Sequence, residues 1–345
     1  MKALVLKRSH FLAGLLSSAG VSFLPAWAQV AAGKPQALPP IFVLNSLDAN
    51  VSVIDPATWQ EKQRIPTGKE PHHLYLTPDE KSLIVANAGG DSLTFFDPRT
   101  AAVQRTIKGI LDPYHLRFSP DMKWFVTAAN RLNHVDVYQW QPQAEPPLKL
   151  MKRIATAKTP SHMWIDSKST TAYVTMQDSD EWIAVDLATQ SIRWRMPTGD
   201  MPADIYMTPD DKFAYIGLTA SDGVQVFDTS KGSAEPAKLV KTIPTGKGAH
   251  AFRAAGDKRH IFVSNRVANT ISKIDTQTQS VVQSFPAPGG PDCMDISSDG
   301  KLLYVTSRWA KKLTVIDLQT GKIARQINVG RSPHGVWTLD HAPRE

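Results

Sequence analysis

The sequence holds a single cysteine, Cys293, in 345 residues. No intrachain disulfide can form, so the fold must be held by burial alone, and a chain of this length can bury a sufficient core. The lone cysteine also excludes a C-x-x-C-H motif for covalent haem and any cysteine-rich zinc knuckle. No G-x-S-x-G, H-E-x-x-H or Walker loop occurs, so no familiar hydrolase, zincin or nucleotide-binding motif is present. Past the N-terminal region no apolar run reaches membrane-spanning length. No helical period of useful length appears either.

Charge of one sign is also scarce. The chain carries 39 Lys and Arg against 32 Asp and Glu. Three of the cations, Lys2, Lys7 and Arg8, precede an apolar stretch from Phe11 to Leu24 and the small-x-small pattern Ala26-Trp27-Ala28. That order reads as an export signal over 1–28, cut before Gln29. Gly14, Ser17, Ser18, Gly20 and Ser22 make the stretch too weak for a membrane anchor. "KRSHFLAGL" leaves two routes open, an ordinary Sec signal or a twin-arginine variant with Lys7 at the first arginine. Without the leader the net charge is +4, too mild to argue for nucleic acid. A periplasmic location is therefore expected, with a linker over 29–40 and a tail over 341–345.

What is present is a repeat. "IFVLN" at 41 recurs as "LIVAN", "FVTAA", "AYVTM", "AYIGL", "IFVSN" and "LYVTS", spaced 42 residues apart except for two steps of 47. A second strand, from "VSVID" at 51 to "LTVID" at 313, follows with identical spacing. "PQAEPP" at 142–147 and "KGSAEP" at 231–236 account for the longer steps as loop insertions. A period near 42 with about four short strands per repeat predicts an all-β, seven-bladed β-propeller over 41–340. The innermost strand at 334–340 has no partners after it, and the strands at 41–66 have none before them. They should share one blade and close the ring. The Asp series 55, 97, 186, 228, 275 and 317 recurs at the turn after the second strand and reads as turn chemistry.

On "LIVANAGGDSLTFFDP" and "LYVTSRWAKKLTVIDLQTGKIARQINVG" the chain resembles the YVTN-repeat propeller family, over residues 40–340. The resemblance implies an exported propeller and no single activity. The fold it implies is similar to the propellers of nitrous oxide reductase and the haem nitrite reductases, which carry histidines at the same end of the channel. This chain lacks their electron-transfer copper domain and covalent haem motif.

Alignment of the seven innermost strands sorts six of the ten histidines into two columns. One column reads His72, Tyr114, Ser161, Ala203, His250, Asp292 and His334. The next reads His73, His115, His162, Asp204, Ala251, Cys293 and Gly335. Equivalent positions on successive blades form a ring about the axis, so each column is a candidate metal site, with imidazole and carboxylate suited to Zn, Cu or Fe. Strand alternation puts the second column, with Tyr75, Arg117, Trp164 and Tyr206 beyond it, on the channel face. It places the first column at the strand mouth. Arg131, Arg266 and Arg308, on loops at the same end, and Arg117 and Arg253 within the channel suit an anionic ligand such as a carboxylate, phosphate or haem propionate.

These residues are read first as a binding site for a ligand, a metal or haem cofactor, or a periplasmic partner protein, in a monomer. The alternatives are a metal- or haem-dependent oxidoreductase or its accessory, and a lactonase-like hydrolase using Asp204, Asp295, Arg117 and Arg253. Nothing in the sequence marks a nucleophile.

Overall fold

The computed structural model describes residues 38–344, so the export signal expected over 1–28 lies outside the described residues. Over them the chain forms seven four-stranded antiparallel sheets arranged as the blades of a propeller. Six blades use four consecutive strands. The seventh joins Ile41–Asn45, Asn50–Asp55 and Gln60–Pro66 to an innermost strand from the other end of the sequence, Pro333–Thr338. Ile41 pairs with Thr338 and Val43 with Val336. The closure expected from the repeat count is therefore present.

The second strand of each blade reads as a continuous apolar run because both its faces are covered. Phe42 and Leu44 pack against Leu83 and Phe96 of the next blade. Ile41 and Val43 pack against Leu313 and Val315 of the preceding one. Seven apolar clusters arise this way, one at each junction between blades. The outermost strands, such as Gln60–Pro66, are mostly exposed and mostly polar.

The asparagine that ends several of these runs has a distinct job. Asn45 is fully buried. Its Nδ2 donates to Asn50 Oδ1 and to Ser52 Oγ, both at 2.8 Å, and its Oδ1 accepts from Gly330 N at 2.9 Å. Asn87 and Asn265 repeat the bond to the neighbouring strand through Thr94 and Ser272. A Cβ on Gly330 would lie 2.5 Å from Asn45 Cγ, which is why the facing loop needs glycine there. Asn45→Ala leaves Gly330 N and the Ser52 hydroxyl without this partner, so a loss of about 1–3 kcal/mol is expected in urea unfolding. A loss under a few tenths would show that the bonds are dispensable.

The Asp series behaves as turn chemistry. Asp55, Asp97, Asp228, Asp275 and Asp317 each accept a backbone N–H from two residues ahead, at 2.8–2.9 Å.

Every innermost strand carries the same irregularity. Pro71 pairs with Asn87 but Leu74 with Val85, so one extra residue sits between them. The same slip recurs in the other six blades. A β-bulge re-aims side chains, and here it falls on the two histidine columns.

A candidate metal centre on the propeller axis

Strict alternation would send His72 and His73 to opposite faces. The bulge removes that constraint, and both rings turn toward the axis, with centroids 4.9 Å apart. His73 lies 4.5 Å from His115, 4.9 Å from His162 and 4.7 Å from His334, centroid to centroid. His162 and His250 are 5.3 Å apart. His72 is sandwiched between Tyr114 at 3.9 Å and His334 at 3.6 Å. All six predicted histidines thus share one cluster.

Which donor atoms converge differs from the expectation. Two sets hold ligand atoms within 4.8 Å of one another, His72 with His73 and His334, and His250 with Asp292 and His334. Both draw mainly on the column placed at the strand mouth, because the bulge swings that column inward. Donors on a bound ion sit roughly 3.3 Å apart, given metal–nitrogen bonds of about 2.0–2.1 Å. Either set would have to contract to close on an ion.

Asp204 does not join the ring predicted for it. Its carboxylate accepts from Ile205 N at 2.9 Å and Phe252 N at 2.8 Å, turning it to backbone work. Burial nonetheless pushes its carboxyl up to about 6. Cys293 is a buried packing residue whose Sγ stands 3.5 Å from His334 Nδ1, and burial pushes its thiol well above the ordinary range.

The imidazoles are held neutral. Burial lowers the pKa of every one, and their mutual repulsion adds to it for His72, His115 and His162. His73 falls to about 3. His250 and His334 are also lowered, although Asp292 opposes the shift. Asp292 stays ionised. Burial would raise its carboxyl, but the guanidiniums of Arg266 and Arg308, which both bond it, hold it well below the usual carboxylate range.

Neighbours orient three of the rings and fix the tautomer of one. His334 Nδ1 bonds the His72 carbonyl at 2.9 Å, which leaves Nε2 as the free donor atom. His162 Nδ1 meets Ser161 Oγ at 2.8 Å and His250 Nδ1 meets Thr219 Oγ1 at 3.1 Å; a hydroxyl can donate or accept, so these contacts orient the rings and let either tautomer form. Each of the six rings keeps one buried nitrogen with no hydrogen-bond partner among the described residues: Nδ1 of His72 and His115, and Nε2 of His73, His162, His250 and His334, the last two facing Asp292 at 3.4 and 3.6 Å. This is the arrangement in which second-layer groups orient metal ligands. Ser161 and Tyr114 stood in the aligned columns and carried a readable signal. Thr219 comes from a loop of the neighbouring blade and carried none.

The guanidiniums expected to face an outside anion bind the protein's own carboxylates. Arg266 Nη2 donates to Asp292 Oδ1 at 2.5 Å and Arg308 Nη1 to Asp292 Oδ2 at 3.0 Å. Arg131 bridges Glu70 and Asp112 at 2.5 and 2.7 Å. Arg253, buried in the channel, pairs with Asp295 at 3.0 Å. Arg117 lies flat over Trp164, 3.6 Å from its centroid.

Below the cluster the axis opens into a chamber of about 140 Å³, lined by His73, His115, Asp204, Trp164, Cys293 and Arg117 among others. Arg344, from the residues read as a tail, is part of its lining. Ala342 and Pro343 carbonyls accept from Arg253 at 2.5 and 2.9 Å, and Arg344 pairs with Asp295 at 2.9 Å.

Several solved structures share this fold. Pseudomonas aeruginosa periplasmic gluconolactonase, PpgL, is 19% identical over 89% of this chain and 100% of its own, with a TM-score of 0.74. The dihydro-heme d1 dehydrogenase NirN, in complex with DHE, is 15% identical over 88% of this chain and 76% of its own, at TM-score 0.64. Kuenenia stuttgartiensis hydrazine synthase is 20% identical over 77% of this chain and 88% of its own, at TM-score 0.63. At such identities the likeness carries the fold alone. No curated protein sequence matches. The sequence matches the YNCE-like beta-propeller family over residues 7–344, nearly its whole length, and the chain belongs to that family.

Proposed function

We propose that this protein is an exported metal-binding propeller that holds a transition-metal ion in the axial imidazole cluster, with His334 as the ligand common to both donor sets. The observation that carries the reading is the set of six clustered, neutral imidazoles, each with one buried nitrogen lacking a hydrogen-bond partner among the described residues. Orphaned buried polar atoms are costly, and six in one place fit a site completed by an ion. Imidazole nitrogen with at most one carboxylate suits Zn, Cu, Fe or Ni over Mg or Ca. The export signal over 1–28 is the support for a periplasmic location. Among the described residues no helix is long and apolar enough to cross a membrane.

Elemental analysis of the protein purified from its native compartment, followed by reconstitution of the stripped protein, tests the reading. One transition-metal equivalent per chain is expected. His334→Ala should weaken it at least 100-fold, because both donor sets lose a ligand. His260 pairs with Asp257 at 2.6 Å away from the axis, and His260→Ala should change nothing. A wild-type protein that takes up no metal, or a His334→Ala variant that binds as well, ends the proposal.

A further inference from the structure

The charges around the cluster set which ion it takes. Resting on the metal reading above, we infer that Arg266 and Arg308 make the site selective for a monovalent cuprous ion over divalent ions.

Two guanidiniums and one carboxylate border the donor atoms. Arg266 and Arg308 grip opposite oxygens of Asp292, and the same Asp292 stands 3.4 Å from His250 Nε2 and 3.6 Å from His334 Nε2. The six imidazoles contribute no charge. Arg131 offsets only one of Glu70 and Asp112, and the backbone N–H groups on Asp204 carry no charge, but none of these three carboxylates belongs to either donor set. The two guanidiniums and the carboxylate they grip therefore sum to +1 before any ion arrives. A divalent ion raises it to +3 and a monovalent one to +2. Burial makes the difference count, because like charges repel more strongly where water is excluded.

Imidazole binds copper well and binds alkali ions poorly. Among ions with affinity for neutral nitrogen, the cuprous ion carries the lowest charge, and the set His72, His73 and His334 offers it nitrogen donors alone. No acceptor for Arg266 Nε is found among the described residues, so its charge is not further offset there.

The experiment compares two probes on the full-length mature protein. Cuprous affinity is read anaerobically by bicinchoninate competition, and zinc affinity by a chromogenic chelator. Cuprous binding is expected at least tenfold tighter than zinc binding. The single variants Arg266→Gln and Arg308→Gln each remove one positive charge and keep a hydrogen-bond donor. Coulomb energy scales with ion charge, so the fold-gain in zinc affinity should be about the square of the fold-gain in cuprous affinity. Far-ultraviolet circular dichroism and thermal unfolding confirm that each variant folds. If zinc binds wild type as tightly as the cuprous ion, or both ions gain equally in the variants, the selectivity inference is overturned. If neither ion binds but iron or nickel does, the selectivity inference is overturned; if no transition-metal ion binds, the metal reading itself has failed.

Discussion

Asp295→Ala is expected to destabilise the protein by about 3–5 kcal/mol, the usual cost of leaving a buried charge without its partner. Asp295 is fully buried on the innermost strand Pro291–Ile296. Its carboxylate accepts from Arg253 Nε at 3.0 Å, Arg344 Nη2 at 2.9 Å, Ile296 N at 3.0 Å and Thr338 N at 3.1 Å. Arg253 is itself 3% exposed, and burial pulls its guanidinium down to about 10 even with Asp295 in place. Without the carboxylate that guanidinium has no anion. The Thr338 bond also ties two neighbouring blades together at the ring closure. A fall in Tm of roughly 6–15 °C is the corresponding thermal shift. Asp295→Leu combined with Arg253→Met should recover much of the loss, because replacing both partners of a buried pair by apolar groups is often neutral. A single-variant loss below 1 kcal/mol would mean that water or the tail carbonyls compensate Arg253.

The same carboxylate gives acid sensitivity a sign. Burial alone would raise the Asp295 pKa, but Arg344 and Arg253 outweigh it and the group sits below its ordinary 3.8. A depressed folded-state pKa contributes stability above the unfolded value, and the contribution is lost as pH falls through the folded value. Wild type should lose stability below about pH 4 more steeply than the Asp295→Leu, Arg253→Met double variant. Parallel acid profiles would show that other carboxylates dominate.

Removal of residues 333–345 should abolish cooperative folding. The deletion strips the innermost strand from the seventh blade and exposes the inner edge of Ile41–Asn45, which otherwise pairs with Pro333–Thr338. An unpaired, largely apolar strand edge is an aggregation site. The deletion also removes Trp337, which is 2% exposed and packs 6.0 Å from Phe42, ring to ring. A circular permutant distinguishes lost closure from lost residues. Joining the C-terminal end to residue 41 and opening the chain within 142–147, a mostly exposed loop between outer strands, should keep Tm within a few degrees. A truncated chain that unfolds cooperatively with an unchanged midpoint would show that the seventh blade stands without its inner strand.

Most of the architecture was legible before any coordinates. The 42-residue spacing fixed seven repeats, and the unmatched strands at the two ends fixed the closure, because a sheet with an open edge is unsatisfied. The six histidines could be assigned to the axis for a related reason. Repeat symmetry turns equal sequence positions into equal distances from the axis, so Asp292 and His334 became neighbours on paper as well as in space.

What the repeat could not convey was direction. Period-two alternation sends neighbouring side chains to opposite faces, and on that rule His72 and His73 cannot serve one site. The bulge between Pro71 and Leu74 breaks the rule at these two residues, through backbone pairing that no single repeat announces. Side-chain competition was equally hidden. Asp204 stood in the same column as three histidines, yet two backbone N–H groups claimed its carboxylate. Arg266 and Arg308 looked ready for an outside anion, yet Asp292 lies within their reach. Sequence by itself determined the seven blades, their closure and the population of the axis, because spacing and hydrophobic pattern are properties of the chain. Only the tertiary structure decided which donor atoms converge and which charges remain uncompensated, because both depend on atoms from different blades meeting at distances of a few ångströms.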